Sequence, residues 1–512
     1  MIDLDKDQRL KLGDYGEITI HNQNQFELTL DYKAAPEVDQ SNYHLEAYFF
    51  LPISFRISKE NYPKKRFYED LQVYIRFHPI YISLNEILNP KNQKSPLNRA
   101  LDLLNKKFGG EIGTDIEVGI IHELKMLAVI VVSVLERSVE RISDLLSHYP
   151  ITDQNFSDAR NQVNAFINSI QHFNQQFRKR RVDFHSSFTP KEVEETFEFV
   201  LEYISISIQR ELTKLLKIIT LLSTLEMEEI EKKIRTLIVD EHKFRLRCGF
   251  SSILIKGEEN ESFPYRYSIL KKYVSNVLYL TARPEIQGKL LKEVGYASAA
   301  GIAMLLTVIL TLLSQTFFEE YTLPFIAVIV FAYMLKDRLK EWLRLLLGDR
   351  SGFRGKPDFK STLKDERGNK IGKTTEKFTF INKLPSEISN LRNVDHITKI
   401  EQEGKPEVII KYTKDVQIYP KVITSEHARV LDVSDIIRFD ISGFLSKIEN
   451  PYSFFEWFNF KNQKVETVKA AKVYHLNFIV KFSKINHTTA DTSMHRVCLI
   501  LDKNGIKRID PR

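Results

Sequence analysis

Residues 295–318 read GYASAAGIAMLLTVILTLLSQTFF, 24 consecutive positions without an Asp, Glu, Lys, Arg or His. At a helical rise of ~1.5 Å per residue such a run reaches about 36 Å, more than the ~30 Å hydrocarbon core of a bilayer. A soluble fold must bury a helix of this kind on every side, whereas a bilayer accepts it as it stands. No other segment constrains the chain as strongly. It predicts a transmembrane span.

Glu319 and Glu320 end that run, and Tyr321–Leu335 follows as a second apolar stretch of 15 residues, about 22 Å as a helix. Lys336 and Arg338 extend its reach by snorkelling. Pro324 falls in its first turn, where a missing N–H costs nothing. The expectation is a two-span transmembrane hairpin over 295–335, with a re-entrant or interfacial second segment as the alternative. Lys289 and Lys292 precede the hairpin, and Lys336, Arg338, Lys340, Arg344, Arg350, Arg354 and Lys356 follow it, while the turn carries only acids. The positive-inside rule then puts both flanks and both termini on the cytoplasmic side of a cell membrane. Residues 336–347 read as a juxtamembrane amphipathic helix with Leu339, Trp342, Leu343 and Leu346 along one face. Lys336, Arg338, Lys340, Trp342 and Arg344 are the expected contacts with the anionic inner leaflet. Ala297 and Gly301 form a small-x-x-x-small pair suited to helix association.

A chain of 512 residues is long enough for two or three domains. Its net charge of +7 is a small excess among 74 basic and 67 acidic side chains, much of it beside the hairpin. That favours a lipid surface over nucleic acid, and no nucleic-acid partner is expected. Cys248 and Cys498 are the only cysteines; two isolated thiols give neither a disulfide framework nor a zinc site and suit a reducing cytoplasm. The charged start MIDLDKDQRLKLGDYG has no apolar signal-peptide region.

The expected fold class is an α+β membrane protein: an N-terminal β-rich module, a long-helix bundle, the hairpin and a C-terminal β-rich module. The first module covers 1–90, where Leu71, Val73, Ile75 and Phe77 alternate as in a strand. Residues 97–292 carry helical periodicity, read as a closed bundle or an extended coiled coil. MLAVIVVSVL at 126–135 is too short to cross a bilayer, so its helix is expected at the centre of the bundle. Thr189-Pro190-Lys191-Glu192 is a helix start, and Leu201, Ile208, Leu215 and Leu222 follow at heptad spacing. Residues 262–293 read as a helix feeding directly into the membrane. Residues 348–377 read as a basic linker and 378–512 as the second β-rich module, with a hairpin turn at Lys503-Asn504-Gly505. PYSFFEWFNF at 451–460 is expected under a sheet as a core element, with an exposed binding face as the alternative.

Recognisable catalytic patterns are missing. Gly368-x-x-x-Gly372-Lys373-Thr374 has three residues between its glycines where a phosphate loop needs four. Asp502-Lys503-Asn504-Gly505 lacks the ligand spacing of a calcium loop. There is no HExxH and no G-x-S-x-G. No cofactor and no metal are expected. The favoured reading is a binding, scaffolding or signal-relay protein with a cytoplasmic protein partner and homo-oligomerisation as one route to assembly. The alternative is a membrane-anchored enzyme whose site is dispersed over the fold.

Overall fold

The structure, a computed structural model, describes residues 9–13, 15–33, 37–108, 114–147, 153–187, 189–222, 227–286, 289–318, 322–345, 357–394, 407–427, 429–485 and 490–511. It is mixed α and β and divides into two compact units. One comprises Met1–Ile75, Thr281–Val422 and Asp435–Arg512, the other Arg76–Leu280 and Ile423–Ser434.

The chain opens with β1 (Arg9–Lys11), β2 (Gly16–Asn22), β3 (Gln25–Lys33), β4 (Ser41–Leu51), α1 (Lys64–Asp70) and β5 (Leu71–Pro79). Helices follow: α2 (Leu84–Leu88), α3 (Pro96–Phe108), α4 (Thr114–Ser147), α5 (Asp153–Lys179) and α6 (Arg181–Phe184). Then come α7 (Lys191–Leu222), α8 (Glu228–Arg247) and α9 (Ser262–Ser275). Next are β6 (Thr281–Ile286), α10 (Lys289–Phe317), α11 (Leu323–Leu345), β7 (Phe359–Lys364), β8 (Lys370–Ile381) and α12 (Ser386–Arg392). The remainder is β9 (Val408–Ile418), α13 (Pro420–Glu426), β10 (Val430–Asp440) and α14 (Ser442–Leu445). It closes with β11 (Tyr452–Asn459), β12 (Lys464–Ala471), β13 (Tyr474–Ile485), β14 (Ala490–Asp502) and β15 (Gly505–Pro511).

In the first unit an eight-stranded sheet, β15-β14-β13-β4-β9-β8-β7-β6, packs against a five-stranded sheet, β1-β2-β3-β10-β5. Aromatic rings fill the space between them. Phe26 of the smaller sheet meets Phe478 of the larger at a centroid distance of 5.7 Å, and Phe439 of the smaller meets Phe49 of the larger at 5.1 Å. The two β-rich regions are therefore not separate modules in sequence order. β4 lies between β13 and β9, both from the far end of the chain. The reason is visible in β4 itself, SNYHLEAYFFL, whose last five residues are all buried. A strand apolar on both faces belongs in the middle of a sheet and needs neighbours on both sides.

Three other sequence expectations are corrected. The basic linker contains β7 and most of β8, whose lysines alternate outward while Ser361, Leu363, Ile371 and Thr374 are buried. Exposed lysines set between buried positions disguised strands as linker. Gly372 belongs to this ladder, and a Cβ there would stand 2.3 Å from the Gln417 carbonyl oxygen. Helix α9 stops at Ser275, so it is strand β6, not a helix, that leads to α10. PYSFFEWFNF forms β11 and the turn after it, exposed rather than beneath a sheet. The turn at 503–505 is present between β14 and β15, with Asn504 N–H donating to Asp502 Oδ1 at 2.7 Å.

The second unit is helical. α4 packs on α5 and α7, and α8 packs on both α5 and α7, so these four long helices close a ring. Leu201, Ile208 and Leu215 of α7 all point into it and are buried, which favours the closed bundle over an extended coiled coil.

Candidate functional site

Among the described residues two helical segments are long and apolar enough to cross a membrane, Asp115–Leu146 and Glu293–Phe317, with equal mean hydropathy of 2.1. Burial separates them. The apolar window of the first, in α4, is 61% buried and that of the second, in α10, 22% buried. α4 spends its apolar surface on the bundle, with Leu127, Ala128, Ile130, Val131 and Leu135 on successive faces all fully buried. α10 leaves Ile302, Leu305, Val308, Leu312 and Phe317 exposed, as α11 does Leu323, Ile326, Val330 and Phe331.

α10 and α11 pack on each other, and among the described elements neither has another extensive packing partner. Their seam is made of small side chains: Ala299, Ala303, Thr307 and Ser314 on α10 and Ala332 on α11 are buried, with Phe325 beside them. Small residues at spacings of four or seven let two helices approach closely where no hydrophobic effect drives them together. The pair expected in this role, Ala297 and Gly301, is exposed instead. It sits two residues out of phase with the seam, which turns it by about half a helical revolution. The hydroxyls within the apolar run are satisfied inside the helix. Thr307 donates to the Ala303 carbonyl at 2.9 Å, Thr311 to Thr307 at 2.9 Å and Ser314 to Thr311 at 2.9 Å. This back-bonding uses the hydroxyl protons of Thr307, Thr311 and Ser314 within the helix itself.

α11 continues unbroken past Leu335, so the second apolar stretch and the expected juxtamembrane helix are one element. The five expected surface residues lie along its last turns. Lys336 places Nζ 4.1 Å from the centroid of the Tyr333 ring. Arg344 lays its guanidinium 4.5 Å from the Tyr296 ring centroid, tying the end of α11 to the start of α10. Arg338 and Lys340 are exposed, and Trp342 is 61% exposed. Lys336, Lys340 and Arg344 share one stripe at four-residue spacing, and Arg338 and Trp342 share another. Arg350, Arg354, Lys356, Leu346 and the Glu319-Glu320 turn lie outside the described residues.

The base of the hairpin is a strand pair. β6 and β7 are antiparallel neighbours, with Ile286 opposite Phe359. The chain thus leaves one sheet for α10 and returns to the next strand of that sheet after α11. No protein-family model, curated protein or solved structure matches this chain.

Clefts and buried ionic groups bear on the enzyme alternative. A cleft of about 580 Å³ in the bundle lies between α5 and α8 and opens onto Glu241. Burial raises the Glu241 pKa above its ordinary value, with Arg178 and Ser205 opposing. Its oxygens are already used: Asn174 and Arg178 donate to Oε1 and Ser205 to Oε2, each at 2.6 Å. Arg178 in turn lies 3.7 Å from the Phe244 ring centroid. A carboxylate with three donors holds helices together and has little acceptor capacity left for a substrate. A second cleft of about 170 Å³ between α4 and α5 carries Arg141 and Gln162 but no acid–base pair. Among the described residues no group of three or more His, Cys, Asp or Glu is placed to hold a metal ion.

The outer face of the large sheet carries one titrating cluster. His44 on β4 lies between Asp415 on β9 (Nδ1 to Oδ1, 2.5 Å) and Glu46 (Nε2 to Oε1, 3.3 Å). The Asp415 and Glu46 hydrogen bonds outweigh burial and raise the His44 pKa from 6.5 to about 9. For Glu46, burial pushes upward, but donation from His44, Lys411 and Tyr48 wins and holds it near 2. A raised folded-state pKa gives stability that is complete below the unfolded value and lost as pH rises through the folded one. The cluster therefore stabilises fully only between about pH 4.5, below which the carboxylate contribution of Glu46 is progressively lost, and 6.5, above which that of His44 fades by about 9. Partial exposure limits the effect to ~1 kcal/mol. In melting curves, wild type and His44→Gln should differ most between about pH 4.5 and 6.5 and converge above about 9; a gap independent of pH would contradict the assignment.

Proposed function

We propose that this chain is an integral membrane protein anchored by α10–α11, with both folded units on the cytoplasmic side, where they bind or relay. The observation that carries the reading is an apolar helical pair, exposed on its outer faces, whose two ends enter adjacent strands of one sheet. Outer faces of this kind match hydrocarbon and cost free energy in water. Because both ends meet in β6 and β7, an even number of crossings fits the fold and a single crossing does not. The N-terminal β4 and the C-terminal β13 and β14 share that sheet, which supports placing both termini on the same side. The cationic stripe of Lys336, Lys340 and Arg344, with Arg338 and Trp342 beside it, supports contact with anionic headgroups. The saturated Glu241 and the absence of a motif favour a partner-binding or scaffolding role over catalysis. The bundle then offers its surface to a cytoplasmic protein or a second copy.

Extraction of membranes with alkaline carbonate tests the anchor. The chain should remain with the pellet. Release into the supernatant would reject the reading.

A further inference from the structure

β11 and β12 form a two-stranded ribbon that no third strand among the described residues joins. Tyr452, Phe454, Phe455, Trp457, Phe458 and Phe460 are all exposed, Phe460 by 79%. Strand alternation sets Phe454 and Phe458 on one face and Phe455 and Trp457 on the other. Opposite them in register stand Lys469, Val465, Val468 and Glu466. Neither face is thus the inner face of a sandwich. An isolated two-stranded ribbon is marginally stable in water, and aromatic side chains on both of its faces expose apolar area without return. A protein partner docking on one face leaves the other wet, whereas an apolar medium receives both.

The placement of the ribbon points to the same medium. Register carries one end of the large sheet from strand to strand. Asn477 of β13 pairs with Phe50 of β4, Phe50 with Ile409 of β9, and Ile409 with Ile381 of β8. Phe359 of β7 pairs with Glu376 of β8, on the Ile381 side of the Lys364–Lys370 pair. The ribbon joins β13 at Tyr474, and α10–α11 joins β6 and β7 at Ile286 and Phe359. Both therefore leave the same end of the sheet, β13 and β7 being four strand spacings apart, ~19 Å. A strand of eight residues extends ~26 Å, enough to carry its tip well clear of the sheet.

We propose that the β11–β12 ribbon inserts its aromatic side chains into the headgroup–acyl boundary of the leaflet that meets the Lys336, Lys340 and Arg344 stripe of α11. This rests on the membrane reading of α10–α11. Tyr and Trp are the side chains that settle at that boundary, apolar in body and polar at one edge. Lys461 and Lys464 at the tip and Lys469 on the return strand remain with the phosphates by snorkelling.

Trp342 and Trp457 are the only tryptophans, one in each element, so each can be read alone. The full chain carrying Trp342→Phe reports Trp457, and the chain carrying Trp457→Phe reports Trp342. Both are reconstituted in vesicles of phosphatidylcholine and phosphatidylglycerol, with the phosphatidylcholine brominated high or low on its acyl chain. Trp457 should emit to the blue and be quenched more by the shallow bromines than by the deep ones. The ribbon proposal fails if iodide in the water quenches Trp457 and no brominated lipid does, while Trp342 is quenched by lipid. It fails equally if Trp457 is shielded from both, because a protein surface then covers it. If bromines reach neither tryptophan and carbonate releases the chain, the membrane reading fails first and the ribbon proposal with it.

Discussion

Leu305→Arg should keep the chain out of the membrane. Leu305 lies near the middle of the uncharged run and is 61% exposed on the outward face of α10. A guanidinium there has neither a partner across the seam nor a short path to the headgroups. On the translocon scale it costs about 2.5–3.5 kcal/mol, on the order of a 10²-fold shift in the partition between inserted and uninserted chains. The readout is the fraction of chain resisting carbonate, with Leu305→Phe as a control that should behave as wild type. Equal recovery of the arginine variant would mean that α10 does not lie at that depth. The same change on α4, at Val131, acts through a different cause. That side chain is fully buried in the bundle, so an arginine there should unfold the helical unit and leave the anchor in place.

Lys414→Met should destabilise the β sandwich by about 3–5 kcal/mol, the cost of leaving a buried charge without its partner. Lys414 on β9 and Asp435 on β10 are both fully buried, with Nζ 2.6 Å from Oδ2. The Tyr32 hydroxyl donates to the same oxygen at 2.7 Å, and Glu376 approaches Nζ at 3.9 Å. Burial already raises the Glu376 pKa, with Lys414 opposing it. Without the ammonium, two carboxylates face one another in an aromatic core. Against total stabilities of ~5–15 kcal/mol such a loss is large. The sign with pH follows: the deficit should shrink as pH falls, because protonation removes the uncompensated charge. Lys414→Met combined with Asp435→Leu should recover much of the loss, since an apolar pair replaces the ionic one. Denaturant melting checks all three statements. A single variant as stable as wild type would show that the pair is not held as described.

The long apolar helix α10 was legible in the sequence because its determinant is one-dimensional. A run of 24 residues without charge declares itself whatever the rest of the chain does. The central position of α4 was legible for a related reason, since its purely apolar core is short and its flanks carry charge. Strand pairing was not legible. β4 and β13 are hundreds of residues apart and pair at Phe49 and Phe478, and the order of an antiparallel sheet depends on complementary faces that no local window contains. The seam of α10 was present as small residues at Ala299, Ala303 and Thr307, but Ala297 and Gly301 offer the same spacing. Only the direction of α11 chooses between the two registers. The aromatic stretch at 451–460 misled because a core strand and an interfacial ribbon use the same side chains. What distinguishes them is whether a second layer lies over them, and here none of the described layers does.

The central claim is that α10–α11 crosses and returns, leaving both ends of the chain on one side. Protease accessibility in sealed vesicles of both orientations, with a tag at each terminus, measures this directly. Both tags should be cut in inverted vesicles and both protected in right-side-out ones. Cleavage of one tag from each side would require a single crossing between β6 and β7, which cannot coexist with their pairing in one sheet, and would contradict the account.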